Sequence, residues 1–203
     1  MTLRVTSAPP TYPVSRDEAK AWCQIDDDIT DQDAVIDLLI AALTEQAEHL
    51  TGRAFVQREY ELLLDRFAAR DIMLPHPPLL SVDSVKYYDI NNALQTIDPA
   101  DYEVDLYAEP GRLRPALYQT WPTTYSRFNA VQIAFTAGYA PGSPSSDAAY
   151  REAVPSLVKQ WLQARIGTLY ENREQLVRSG LVRIPRDFAD GLLDSLVIGS
   201  RLF

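Results

Sequence analysis

Five aspartates crowd one short stretch: Asp26, Asp27, Asp28, Asp31 and Asp33. Acidic oxygens are what a hard cation such as calcium binds, but a calcium loop alternates its ligands, turns at a glycine and closes with a distal Glu. Here three carboxylates are contiguous and no glycine lies in the run. Carboxylates also stabilise the positive end of a helix dipole. The run therefore reads as helix capping and surface charge, and no metal ligand is assigned to it.

The other reactive side chains are as sparse. His49 and His76 stand apart, and neither belongs to a metal-ligand spacing such as H-E-x-x-H. A Ser-His-Asp set assembles in space, so chain order does not exclude one, but no nucleophile elbow supports it. Cys23 follows Trp22 on an apparent helix and reads as a small buried hydrophobe. The segment Gly138-Tyr139-Ala140-Pro141-Gly142 lacks the spacing and the lysine of a phosphate loop. Eleven tyrosines offer stacking surfaces, but without a matching basic groove they read as sheet and interface residues. No catalytic residue and no cofactor are expected, and the chain reads as a non-enzyme.

Charge points the same way. The 203 residues carry a net charge of −9. Residues 1–50 hold ten acidic against three basic side chains (−7), residues 51–150 twelve against eight (−4), and residues 151–203 six against eight (+2). An acidic chain is a poor wrapper of DNA, which is held by cationic neutralisation of phosphates. A polarised chain is suited to pair its acidic front with the basic back of another copy. No apolar run approaches the ~20 residues that span a bilayer, so no membrane contact is expected. The N-terminus has no apolar signal core, and one cysteine permits no intrachain disulfide. Both fit a reducing cytoplasm.

These side chains sit on a helix–sheet–helix pattern. Residues 1–14 read as an extended arm, because Pro9, Pro10 and Pro13 remove backbone donors. Ser15 with Glu18 forms a capping box for a short helix reaching about Cys23. A second helix is expected from Thr30 or Asp31, with an apolar stripe of Ile36, Leu39, Ile40, Leu43, Ala47 and Leu50, closed by Gly52. Short strands follow at Gln57–Phe67, Asp71–Leu74, Ser81–Asp89, Leu94–Ile97, Tyr102–Leu106, Arg112–Arg114 and Ala130–Ala137. Asn91-Asn92 suits a hairpin turn, and Pro75, Pro77 and Pro78 mark a rigid corner. After a loop at Gly138–Ala149 comes one long helix, with Pro155 near its first turn. Its wide apolar face carries Val154, Leu157, Val158, Trp161, Leu162, Ile166, Leu169 and Tyr170. Gln175–Ile184 reads as extended, and Phe188–Leu196 as a short last helix. The expected class is α+β: a helical bundle built from residues 1–55 and 150–203, with a small antiparallel β lobe, residues 56–149, inserted into it.

In this order the motifs are familiar. "EAK" at Glu18–Lys20, "IDDD" at Ile25–Asp28, "LLIAA" at Leu38–Ala42, "TGRAF" at Thr51–Phe55, "LPHPPLLSVDSVKYYD" at Leu74–Asp89, "DYEVD" at Asp101–Asp105, "FTAGY" at Phe135–Tyr139, "YENRE" at Tyr170–Glu174 and the "IP…LL" ending at Ile184–Leu193 follow one another. The chain resembles the siphophage head–tail connector, or adaptor, family, which includes prophage and gene-transfer-agent members. One departure is visible. Where many relatives end in a short aromatic-basic segment, this chain continues from Asp194 to Phe203 without a Pro-Tyr-Arg.

The resemblance implies a structural virion protein at the head–tail interface, assembled in the host cytoplasm. It implies a homo-oligomeric ring, a dodecamer, docked beneath the portal protein. That ring extends the DNA channel without sequence-specific binding and offers a platform to a stopper or tail-completion protein. It places portal contact on Leu192, Leu193, Leu196, Val197, Ile198, Arg201, Leu202 and Phe203. Subunit contact falls on Tyr170, Arg173 and Glu174. The alternatives are another head–tail junction protein, such as a stopper or tail-completion protein, or a metal-dependent enzyme of packaging.

Overall fold

The computed structural model describes residues 1–69, 71–142, 146–171 and 190–198. The chain is α+β and divides into two compact units. One comprises Met1–Pro10 and Gln57–Tyr139, the other Thr11–Val56 and Ala140–Phe203.

The first unit holds two antiparallel sheets. Its strands are β1 (Thr2–Val5), β2 (Arg58–Leu64), β3 (Ile72–Leu74), β4 (Leu79–Tyr88), β5 (Leu94–Thr96), β6 (Tyr102–Asp105), β7 (Gly111–Pro115) and β8 (Val131–Ala137). The larger sheet runs β1-β2-β8-β4-β5 and the smaller β3-β7-β6. Strand β8 is central, and its alternate residues Val131, Ile133, Phe135 and Ala137 are all buried, as one buried sheet face requires. Tyr60 and Leu62 of β2 lie directly opposite Phe135 and Ile133. On the other side Val82, Val85 and Tyr87 of β4 face Phe135, Ile133 and Val131. That spacing of three then two is not a strict alternation. A bulge between Val82 and Ser84 absorbs the extra residue and keeps all three in register.

The N-terminal residues differ from the expected arm. Thr2–Val5 pair with Leu63–Tyr60 as an edge strand, because the prolines that deny donors begin only at Pro9. Ser7 extends the tie, its hydroxyl accepting from the Glu59 N–H at 3.0 Å. At Asn91-Asn92 the turn forms as the sequence suggests. Asn92 takes φ 61°, and the Asp89 carboxylate accepts from the N–H groups of Asn91 and Ala93. The Ala93 N–H, then the Gln95 amide, hold this carboxyl below its ordinary range. In the smaller sheet Arg112 pairs with Asp105 and Arg114 with Glu103, each at 2.6 Å across strands β6 and β7.

The second unit is helical. Helix α1 (Arg16–Trp22) carries the expected capping box: the Ser15 hydroxyl accepts from the Glu18 N–H and the Glu18 carboxylate from the Ser15 N–H. Helix α2 (Asp33–Thr51) starts later than the acidic run suggested, at an N-cap, Gln32, whose side chain makes no capping bond. It ends at Gly52, in the left-handed region at φ 72°. Its buried face is Ile36, Ile40, Leu43, Thr44, Ala47, Glu48 and Thr51. Leu50 is exposed, because the stripe passes through Thr51 instead.

The expected long helix is two: α3 (Asp147–Ala153) and α4 (Ser156–Glu171). Pro155 disfavours helical geometry in the residue before it, and Val154 is extended at ψ 135°. Val158, Trp161, Leu162 and Ile166 of α4 are buried, whereas Leu157 and Leu169 are exposed, so its core face is narrower than the sequence suggested. Helices α1, α2 and α4 pack against one another pairwise. Trp22 of α1 lies over Gly167 of α4, where a Cβ would stand 3.1 Å from the indole nitrogen. The last described segment forms two 3₁₀ turns, Asp190–Leu192 and Asp194–Leu196, rather than one helix. Gln175–Ile184 lies outside the described residues.

Candidate interaction surfaces

Around the C-terminal end of α2, polar side chains are buried in phase with apolar ones. Thr44 and Thr51 donate back to the carbonyls of Ile40 and Ala47, the local bond that lets a hydroxyl sit inside a helix face. The Glu48 carboxylate accepts from the Phe55 N–H at 2.9 Å, fixing the turn that follows Gly52. Arg53 reaches the other way, and its Nε donates to the Leu196 carbonyl at 2.6 Å. The Ile198 N–H donates to the Thr51 carbonyl at 3.1 Å.

These bonds seat the segment 190–198 against the end of α2. Leu193 is 3% exposed, whereas Val197 is 46% exposed. Leu192, Leu196 and Ile198 are half-buried. Of the residues singled out for portal contact, five thus lie in one docked segment. Arg201, Leu202 and Phe203 are outside the described residues. Tyr170 is half-buried on the last turn of α4, and Arg173 and Glu174 are outside the described residues.

Of the acidic run, Asp33 stands in the first turn of α2 as expected, whereas Asp26, Asp27, Asp28 and Asp31 lie in a loop before it and cap no helix. Lys20 is 3% exposed beneath this loop. Its Nζ donates to the carbonyls of Asp27 and Ile29 at 3.0 and 2.8 Å, and pairs with Asp33 at 3.3 Å. The loop's backbone is drawn in, and the side chains of Asp26, Asp27, Asp28 and Asp31 face solvent. Beside this loop Arg16 bonds Asp37 and Asp33, and the Asp37 bond holds its guanidinium above the ordinary value. No group of three or more His, Cys, Asp or Glu converges as a metal site among the described residues.

Cys23 is half-buried at the end of α1, and burial followed by Glu171 pushes its thiol up, which disfavours the reactive thiolate. His49 is exposed. His76 stacks on Tyr60 with ring centroids 5.3 Å apart. Burial, then Arg58, lowers its pKa from the ordinary histidine value. No described helix is long and apolar enough to cross a membrane.

Motif reasoning passed over a second surface, at one end of the larger sheet. A groove of about 750 Å³ is lined by Asp65, Arg66, Tyr125, Arg127 and Phe128. Phe128 is 82% exposed. The Arg127 guanidinium lies 4.0 Å over the Tyr88 ring and bonds the Asn92 side chain. Asp65 is tied to the Asn129 N–H at 2.9 Å. The signal available in the sequence was the aromatic-basic run Tyr125-Ser126-Arg127-Phe128.

Residues 16–107 match the model of the phage gp6-like head–tail connector protein family. The resemblance to head–tail connectors holds. The matched stretch runs from α1 to just past β6, and the family is a structural one rather than an enzyme class. No curated protein matches the chain. Solved structures share the fold over the whole length. A chain from the neck of an empty gene transfer agent particle, computed with C6 symmetry, aligns with TM-score 0.73 at 21% identity, covering 99% of this chain and 100% of that one. A chain from the virion of a native gene transfer agent particle aligns at 0.74 and 21%, with the same coverage. A chain from the native neck with C12 symmetry aligns at 0.67 and 22%, again over 99% and 100%.

Proposed function

We propose that this chain is a head–tail connector subunit. Copies form a closed ring of twelve beneath the portal protein, at the head–tail interface of a virion assembled in the host cytoplasm. The ring extends the DNA channel and presents a platform to a stopper or tail-completion protein. In this reading the N- and C-terminal helical segments make one bundle with the β lobe inserted, and residues 192–203 carry the portal contact. Tyr170, Arg173 and Glu174 serve packing or subunit contact.

The observation that carries the reading is the match of residues 16–107 to the connector family, supported by a fold shared end to end with chains of gene transfer agent necks. The C6 and C12 symmetry of those necks supports the ring, since head-to-tail contacts between identical copies close into rings. An acidic subunit is compatible with a channel through which DNA slides without being held. Val197 is the apolar residue most available to a partner in the docked segment. Particles assembled without this chain are expected to accumulate as tailless heads. Normal tailed, infectious particles would overturn the reading.

A further inference from the structure

We infer that the groove at the end of the larger sheet is a subunit–subunit socket, filled by the acidic loop 26–31 of a second copy of this chain. The inference rests on the ring proposed above and adds a contact to it.

The socket holds two arginines against one aspartate, Asp65, in an acidic molecule. Most arginines of this unit with a described partner pair with a carboxylate: Arg4 with Glu61, Arg112 with Asp105, Arg114 with Glu103. Arg66 and Arg127, which line the groove, bond no carboxylate among the described residues. Arg66 is exposed. Arg127 is held in place by Tyr88 and Asn92, so its charge is fixed at the groove without being neutralised. Phe128 and Tyr125 add an apolar wall, both exposed. Charged groups beside exposed aromatics are what a specific protein contact uses, the ring for burial and the cation for register.

The loop carries the opposite charge. Asp26, Asp27, Asp28 and Asp31 are exposed and pair with no cation among the described residues. They surround Ile29, which is also exposed. Lys20 fixes the backbone from inside through the carbonyls of Asp27 and Ile29. Little conformational freedom is then lost on docking, which favours binding. Acid meets arginine, and Ile29 meets Phe128 and Tyr125. The two surfaces differ, so the contact is heterologous, the kind that closes a ring.

The test is charge exchange in the full chain, read as ring assembly on the portal protein, with thermal melting to verify folding. Arg66→Glu removes no internal bond among the described residues. It is expected to weaken assembly by about tenfold or more, the scale of close interfacial charge pairs, as is Asp27→Lys with Asp28→Lys. All three changes in one chain should recover assembly. If Arg66→Glu assembles as well as the unaltered chain, the socket is wrong. If the combined variant stays as weak as the single ones, the groove meets another anion, such as DNA phosphate, and the inference is overturned. Should unaltered chains bind the portal yet make no contact between copies, the inference fails and the connector reading survives. A chain that does not bind the portal at all sinks both.

Discussion

Arg53 and Leu196 lie 143 residues apart in sequence, yet the Arg53 Nε donates to the Leu196 carbonyl at 2.6 Å. With the Ile198–Thr51 bond and buried Leu193, it fastens the last described segment to the end of α2. The first turn after a helix and the tail of the chain thus share one set of buried polar groups.

Replacing Arg53 by Met keeps much of the buried stem but leaves the Leu196 carbonyl without its charged donor. A lost hydrogen bond to a charged group costs about 1.5–3 kcal/mol. The variant should lose roughly that much in urea unfolding, and amide exchange at Leu196–Ile198 should quicken. Unchanged exchange there would show that Arg53 does not hold the segment.

Gly111 is where the two sheets of the first unit touch. A Cβ at this position would stand 2.4 Å from Leu79 Cδ2 and 2.7 Å from its Cβ, and the second of these atoms cannot swing away. Gly111→Ala should therefore destabilise by about 1–3 kcal/mol, the usual cost of overpacking. A melting temperature equal to that of the unaltered chain would contradict the packing described.

Lys20→Met keeps length and apolar bulk and removes two bonds to loop carbonyls and the ion pair to Asp33. The expected loss is about 1.5–3 kcal/mol, the scale of hydrogen bonds made by a charged group. Limited proteolysis should then cut within 26–32 first. Resistance equal to that of the unaltered chain would mean the loop is held by something else.

His76 gives stability a dependence on pH. Its pKa is lowered by burial and by Arg58, so the folded state takes up a proton less readily than the unfolded chain. This contribution is complete above about pH 6.5, the unfolded value, and is lost as pH falls through the lower folded value. Asp89 and Asp105 are lowered carboxyls, so their contributions are lost only in more acid solution. His76→Asn suits the positive φ of 61° and should flatten the stability profile just below pH 6.5. An unchanged slope there would remove His76 as its source.

Much of the fold was legible in the sequence because its signals are local. Ser15 with Glu18 marks the start of α1, Gly52 the end of α2, and alternation in Val131, Ile133 and Phe135 the central strand. What escaped depends on contacts made in space. Strand β1 is four residues long and exists because β2 offers an edge. The acidic run read as a cap because nothing local shows that Lys20, six residues before Asp26, turns inward beneath it. Thr44, Glu48 and Thr51 were visible in phase with Ile36 and Ile40, yet hydropathy favoured Leu50. The groove arginines stand out only once the partners of Arg4, Arg112 and Arg114 are known.

The central claim is that this chain builds the ring at a head–tail junction. Electron microscopy of the chain mixed with its cognate portal protein tests it most directly. The account predicts an added ring coaxial with the portal, with one copy of the chain for each portal subunit. Portal particles without added density, at concentrations where the chain is in excess, would contradict it.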